Sequence, residues 1–201
     1  VWEPDSGRSY PLDSAEALTA LPLDAEIDVA EYSTTVEIRN LNSTWLPVSY
    51  PATSIEGLDG VWGAFPYNRT VEARQGGTQG QDYEVISRVP RPTLEQIRAR
   101  SAGGEGVRAD TLGLPVDLPP IVGELAAEVT AGAASDYDAL LALQSWFRGA
   151  DFRYSLEAPV EEGFDGSGAE AVARFLEVRE GYCVHYASAF ALMARTLGMP
   201  S

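Results

Sequence analysis

The spacing of apolar residues changes near the middle of the chain, and this change constrains the fold most strongly. From residue 26 to 41, apolar side chains alternate with polar or charged ones. A repeat of two rich in β-branched residues is typical of strands. Shorter runs of this kind occur at 70–73 and 83–89, and glycines punctuate residues 44–64. We therefore expect several short strands joined by turns, in a small antiparallel sandwich or barrel.

Helical signals replace these patterns in the second half. A proline pair precedes an apolar helix predicted at 121–129. Ser135, followed three residues later by Asp138, caps the start of the next helix. A brief strand is expected around Tyr154, and a last helix from about residue 183 to 197, where glycine and proline end it.

Together these patterns predict an α+β protein with two parts. The first part is a β-rich N-terminal module over residues 1–110. The second part, over residues 118–201, is helical. Residues 100–118 are rich in glycine, proline and leucine, so we place the domain boundary there.

The charge balance excludes two classes of partner. The chain has 30 acidic residues against 14 basic ones, all arginine, and a net charge of -16. A nucleic-acid-binding protein needs a basic face, and docking on anionic lipid needs a polybasic patch. We therefore expect no nucleic-acid partner. The single cysteine excludes an internal disulfide.

That cysteine, Cys183, follows a glycine at the predicted start of the last helix. The partial positive charge of a helix N-terminus favours a thiolate. Backbone N–H groups there can also stabilise an oxyanion. The alternative is that a lone cysteine is a small buried apolar residue.

His185 is the single histidine, two residues after Cys183. Residues i and i+2 on a helix point to nearly opposite sides, so His185 cannot take the proton of Cys183. We expect His185 to pack or support the site. A cysteine enzyme with a histidine base would need that base from outside residues 1–201.

Residues 181–200 resemble the nucleophile segment of the transglutaminase-like superfamily; they read Gly-Tyr-Cys-Val-His-Tyr-Ala-Ser-Ala-Phe-Ala-Leu-Met-Ala-Arg-Thr-Leu-Gly-Met-Pro. They are similar in particular to bacterial membrane-anchored proteins whose extracytoplasmic domain follows a bundle of membrane helices. The helix at 136–147, the strand at 152–154 and the Phe175-Leu176 pair support the resemblance. It covers about residues 120–201, and the β-rich part matches the family only loosely.

The resemblance implies the nucleophile half of a transglutaminase-like, papain-like cysteine core. The family's triad is Cys, His and Asp in chain order, and only the Cys maps here, onto Cys183, with Gly181 and Tyr182 shaping the turn before it. The implied reaction is acyl transfer to an amine, or hydrolysis, at an amide of a peptide or protein, cell-envelope peptides among them. No cofactor or metal is implied. The implied location is the extracytoplasmic side of the cell membrane, in a membrane-anchored parent.

We expect this chain alone to be inactive, because the family's His and Asp lie beyond the matched segment. Val1 and Ser201 both look like cut ends. The rival hypothesis is a cell-envelope interaction module in which Cys183 is vestigial. A third is a structural domain with a buried cysteine. A histidine and then an aspartate in strands after Ser201 would favour the enzyme.

Two further interpretations concern aromatic and acidic residues. Trp45 and Trp62 are expected in the core of the β part, although exposed tryptophans there would indicate a binding face. Glu161, Glu162 and Asp165 lie in a glycine-rich loop, which we interpret as a solvated loop rather than the edge of a substrate cleft.

Overall fold

The structure is a computed structural model that describes residues 8–104, 107–157 and 168–201. Contacts divide the chain into two compact units, a β unit that ends at Thr93 and a helical unit, Leu94–Ser201. The predicted α+β class is confirmed, with strands in the first part and helices in the second. The predicted bounds at 1–110 and 118–201 stay a prediction.

The β unit contains two antiparallel sheets of three strands each. One has the order β2-β6-β3 and the other β1-β4-β5. The six strands are β1 (Tyr10–Pro11), β2 (Asp28–Glu37), β3 (Ala52–Glu56), β4 (Trp62–Phe65), β5 (Thr70–Ala73) and β6 (Asp82–Arg91). In the longest pair, Asp28 of β2 lies opposite Arg91 of β6 and Glu37 lies opposite Asp82.

Alternating burial along β5 and β6 places one face of each sheet in a shared core. Val71 in β5 and Val85 in β6 are fully buried, and Trp62 in β4 is 5% exposed. These residues belong to one buried cluster, completed by residues of the connecting segments. The short strands are therefore held by a common apolar core, which an isolated three-stranded sheet could not build.

Two parts of the β unit differ from the sequence prediction. Between residues 44 and 51 the structure has only an isolated bridge from Trp45 to Glu72, where short strands were expected. Pro47 and Pro51 lack the N–H groups that a ladder needs, which accounts for the interruption. Conversely, β1 pairs with β4, although residues 1–23 mix proline, aspartate and serine with isolated apolar residues, a pattern that predicts an extended or loosely ordered segment.

The helical unit has five α-helices among the residues that the structure describes. They are α1 (Leu94–Arg98), α2 (Pro120–Thr130), α3 (Asp136–Phe147), α4 (Gly168–Val178) and α5 (Cys183–Thr196). A single 3-10 turn, Ala109–Thr111, precedes α2. Two short strands, β7 (Arg153–Tyr154) and β8 (Glu180–Gly181), pair in parallel.

The caps of these helices follow local sequence signals. The Oγ of Ser135 accepts the N–H of Asp138 at 3.1 Å, as the capping pattern predicts. Gly198, with a φ of 80°, follows the end of α5. Ser167, whose spacing from Glu170 predicts a capping box, lies outside the described residues.

The segment after the β unit is attached to α3. Arg98 forms an ion pair with Asp138 at 2.9 Å, and Asp136 accepts the N–H of Ala102 at 2.7 Å. The Ser135 hydroxyl and Arg98 lower the pKa of Asp138.

Within the described residues, no helix combines the length and apolar character that a membrane crossing requires.

Candidate active site

Cys183 is the first residue of α5, and its side chain is exposed. Val184 is 51% exposed, and Ala187, one turn later, is exposed as well. By contrast, Ala189 and Met193 further along α5 are fully buried. The start of α5 therefore presents a thiol to solvent, which rules out the alternative that Cys183 is a small buried core residue.

The chain reaches this thiol through a turn at Arg179, just after α4. Its φ of 59° lies in the left-handed region, which costs a non-glycine residue about 1–3 kcal/mol. The guanidinium lies 5.6 Å from the ring centre of Trp146 and 5.8 Å from that of Phe152. It also donates to Asp151 at 3.0 Å. These contacts offset the backbone cost and fix the turn.

Strand β7 then holds β8 in place. Arg153 N–H donates to the carbonyl of Arg179, and Ser155 N–H to that of Gly181, both at 2.9 Å. The guanidinium of Arg153 also donates to the Glu180 carboxylate. This hydrogen bond is the main reason that the pKa of Glu180 lies below its usual value. The chain therefore enters α5 from a fixed direction.

His185 lies on the opposite side of α5 from Cys183 and is only 6% exposed. Its Nδ1 accepts the N–H of Tyr182 at 3.3 Å, so the neutral ring carries its proton on Nε2. The imidazole stacks on Phe175, with ring centres 5.8 Å apart. Burial lowers the pKa of His185. The geometry agrees with the packing role that the i, i+2 spacing predicts.

Gly181 is required for space at this turn. Its φ is not in the left-handed region. A Cβ there would lie 2.9 Å from Nδ1 of His185 and 3.0 Å from Cδ2 of Phe175, closer than real Cβ contacts. The sequence predicted that Gly181 shapes the turn, and the structure supplies the physical reason.

A cluster of aromatic rings packs around Tyr186, in the first turns of α5. The ring of Tyr186 meets that of Phe175 edge to face, with ring centres 4.8 Å apart. The ring centres of Phe147 and Phe152 lie 6.0 Å and 5.9 Å from that of Tyr186. Burial raises the pKa of Tyr186. The ring of Tyr154 stacks on Tyr186 at 6.4 Å, and its residue is 61% exposed.

This arrangement brings together Cys183, Gly181 and Tyr182, the three residues that sequence reasoning assigned to the turn. The chain offers no second imidazole to the thiol, because His185 is its single histidine. Sequence reasoning missed Arg179 and Tyr154. The alternation around Tyr154 predicted its strand, but no local signal indicated its exposure. The acidic loop with Glu161, Glu162 and Asp165 lies outside the described residues.

Comparison with known proteins assigns the helical unit first. Residues 123–201 match the family model of the transglutaminase-like superfamily. Over these residues the chain is similar to the transglutaminase-like superfamily, which confirms the resemblance found in residues 181–200. Comparison with curated protein sequences found no significant match.

The particular type follows from the rest of the chain. Residues 1–94 match the family model of the TgpA N-terminal domain. A similar solved structure is that of the periplasmic domain of TgpA from Pseudomonas aeruginosa bound to ethylmercury, with 25% sequence identity and a TM-score of 0.58. The match covers 89% of this chain and 60% of that one. The chain is thus similar to a transglutaminase-like domain of the TgpA type and spans about three fifths of the similar TgpA chain.

Proposed function

We propose that this chain is part of an extracytoplasmic cysteine enzyme in which Cys183 is the nucleophile. The substrate is an amide of a peptide or protein, with cell-envelope peptides as the first class to test. The observation that carries the proposal is the exposed thiol at the first position of α5, inside the region that matches the superfamily.

The chemistry follows from that position. The thiolate attacks the amide carbonyl carbon, a carbon–sulfur bond forms, and the amine leaves with a proton from a general acid. At the start of a helix the first backbone N–H groups lack the usual acceptor four residues back, so those of Cys183 and Val184 can stabilise the oxyanion. Water then hydrolyses the thioester, or a second amine takes the acyl group.

The general base has to come from outside these 201 residues. His185 is the single histidine, and its Nδ1 already accepts the N–H of Tyr182. The superfamily resemblance implies a His and an Asp further along the chain. We therefore expect no turnover by the 201-residue chain, and turnover by the longer protein that contains both groups.

The proposed location is the extracytoplasmic face of the membrane, in a membrane-anchored parent. The similar TgpA structure is a periplasmic domain. An exposed lone cysteine is compatible with that compartment, because no second thiol in this chain can pair with it.

The first experiment measures alkylation of Cys183 by iodoacetamide as a function of pH. The matched control moves the thiol one turn along the same exposed face, in the double variant Cys183→Ser, Ala187→Cys. We expect the midpoint for Cys183 to be lower by about half to one pH unit, the scale of a helix-dipole effect. Equal midpoints would contradict an activated nucleophile.

The second experiment uses the protein extended past Ser201. Peptide amides, with and without an added primary amine, distinguish hydrolysis from transfer. Cys183→Ser should abolish turnover while the far-UV circular dichroism stays unchanged. Ethylmercury, which binds thiolates, should label the wild type at one site and the Cys183→Ser variant at none. Turnover that survives Cys183→Ser would overturn the proposal.

A second candidate function, a non-catalytic interaction module, has one specific observation in its favour. Trp45 is 48% exposed and lies 5.9 Å from the ring of Phe65, so the β unit presents an aromatic pair at its surface. Binding of cell-envelope peptides can be compared among the wild type, Cys183→Ser and Trp45→Ala. Equal binding by the first two and loss of binding by Trp45→Ala would favour the interaction module over the cysteine enzyme.

A further inference from the structure

We infer that His185 is a positioning residue, whose imidazole closes the turn that presents Cys183 without placing a negative charge beside the thiol. The inference rests on the proposed role of Cys183 as nucleophile. It goes beyond that role because it assigns a task to a residue that takes no part in the chemistry.

The first step concerns the cap of α5. Tyr182 is the N-cap residue, so His185 occupies the third helical position. In a capping box a glutamate or glutamine at this position accepts the N–H of the N-cap residue. Here Nδ1 of His185 accepts it instead, at 3.3 Å. The imidazole therefore performs the task of that carboxylate or amide.

The second step concerns the fixation of the ring. Phe175 stacks on one side of His185, and the ring of Tyr182 meets it edge to face at 4.4 Å. Gly181 lets the ring pack closely against the backbone, since a Cβ there would lie 3.1 Å from Cγ of His185. A ring held by these contacts keeps Nδ1 aimed at the N–H of Tyr182.

The third step concerns charge. The groups that contact His185 are uncharged rings and backbone, from α4, β8 and the turn, and its neighbours on α5 are the titratable Cys183 and Tyr186. In the part of the chain that the structure describes, the nearby carboxylate of Glu180 is paired with Arg153. A carboxylate at position 185 would lie within about one helical turn of the thiol and would disfavour the thiolate.

The acceptor also persists at neutral pH. Burial lowers the pKa of His185, so the imidazole stays uncharged where an exposed histidine would begin to take a proton. Protonation would replace the acceptor with a donor and break the bond to Tyr182.

The test compares substitutions that separate acceptor from charge. In His185→Asn the Oδ1 takes the place of Nδ1 as a neutral acceptor, and His185→Asp differs from it only by a charge. His185→Phe keeps the ring and removes the acceptor. The readout is the pH midpoint of iodoacetamide alkylation at Cys183, with far-UV circular dichroism as the check of folding.

We expect the Asn variant to keep the wild-type midpoint and the Asp variant to raise it by about one pH unit, the scale of a charge at this distance. High salt should reduce the shift of the Asp variant. The Phe variant should also raise the midpoint, because the turn frays, but without dependence on salt. Equal midpoints for Asn and Asp, or a Phe variant identical to wild type, would overturn the inference.

A second measurement covers the case in which the Asp variant does not fold. In the wild type, exchange of the Tyr182 amide proton with solvent should be slowed by its hydrogen bond, and His185→Phe should accelerate it. Unchanged exchange would also overturn the inference. Failure of the proposed function has a different signature, since it appears as a wild-type midpoint equal to that of the relocated thiol at position 187.

Discussion

The two units differ in where they bury polar side chains. In the β unit, Arg69, Thr78 and Ser87 are buried. Each bonds to a connecting segment: Thr78, for example, donates to the carbonyl of Leu41 at 2.7 Å. In the described part of the helical unit, His185 is the buried polar side chain, and it lies two residues after the candidate nucleophile on α5.

This difference reflects how each unit satisfies its backbone. Short strands leave long connections whose carbonyls and N–H groups need partners, so buried side chains supply them. Helices satisfy most of their own backbone groups, and an apolar core is sufficient between them. A buried polar group among the described residues of the helical unit is therefore exceptional, and the one at His185 accepts the N–H of Tyr182, in the turn before Cys183.

The largest expected effect tests the apolar core of the helical unit. Phe175 is fully buried and contacts the rings of Phe147, Phe152, Tyr186 and His185. Phe175→Ala should lower the free energy of unfolding by about 4 kcal/mol, from lost burial and the cavity left behind. Urea unfolding followed by far-UV circular dichroism measures it. Val178→Ala, at the exposed last residue of α4, should change stability by less than about 0.5 kcal/mol. A loss below about 1 kcal/mol for Phe175→Ala would contradict the core assignment.

The next effect tests the buried cation of the β unit. Arg69 is 5% exposed and donates to the carbonyls of Ala52, at 2.9 Å, and Thr19. Arg69→Met should cost about 3 kcal/mol, because both carbonyls lose their partner. Hydrogen exchange of the strand amides, read by mass spectrometry, localises the loss. Arg88→Met removes an exposed arginine that pairs with Glu31 at 3.7 Å, and it should have almost no effect.

A smaller effect tests a local cap. Ser135→Ala removes the acceptor for the N–H of Asp138 and should destabilise the helical unit by about 1 kcal/mol. The matched control, Ser145→Ala, lies at an exposed interior position of α3, where alanine favours the helix slightly. Thermal unfolding of the two variants should therefore shift in opposite directions. A downward shift of the same size in both would show that the cap contributes nothing specific.

The smallest effect concerns pH and again separates His185 from the polar groups of the β unit. Because burial lowers its pKa, the unfolded chain takes up this proton first as pH falls. The stability it contributes is complete above the unfolded pKa of about 6.5 and is lost as pH falls towards the folded value. Urea unfolding of the wild type should therefore show a decline in stability as pH falls below about 7 that His185→Asn lacks. Parallel curves of unfolding free energy against pH for the two proteins would contradict this prediction.

Local signals predicted most of the elements. The cap at Ser135 predicted where α3, Asp136–Phe147, begins. The glycine at 198 predicted that α5 ends at about residue 197, and it ends at Thr196. The strand at Thr70–Ala73 was confirmed as well. Strand β1 could not be predicted, because two residues, one of them Pro11, carry no periodic pattern and pair only through the tertiary fold.

The tryptophans show the same limit. Both Trp45 and Trp62 were expected in the core; the expectation is confirmed for Trp62 and wrong for Trp45. Trp62 lies in strand β4, whose regular pairing with β5 fixes its direction. Trp45 lies in a segment held by a single bridge to Glu72, so only long-range pairing decides which way it points.

At the candidate active site, too, local sequence predicted some features and tertiary contacts decided others. The placement of Cys183 at the start of a helix came from residues next to it, and its role as nucleophile stays a prediction. The contribution of Arg179 could not be foreseen, because its backbone conformation depends on rings from another helix and another loop.

That dependence has a mechanical consequence. Arg179 begins the turn that leads into β8 and the thiol, yet its guanidinium lies over Trp146 of α3. A displacement of α3 would therefore be transmitted to the segment before Cys183. A glycine at position 179 would adopt the same φ but would leave the bend uncoupled from that helix. With arginine there, the orientation of the thiol is a property of the packing of the whole helical unit, and not of its own loop alone.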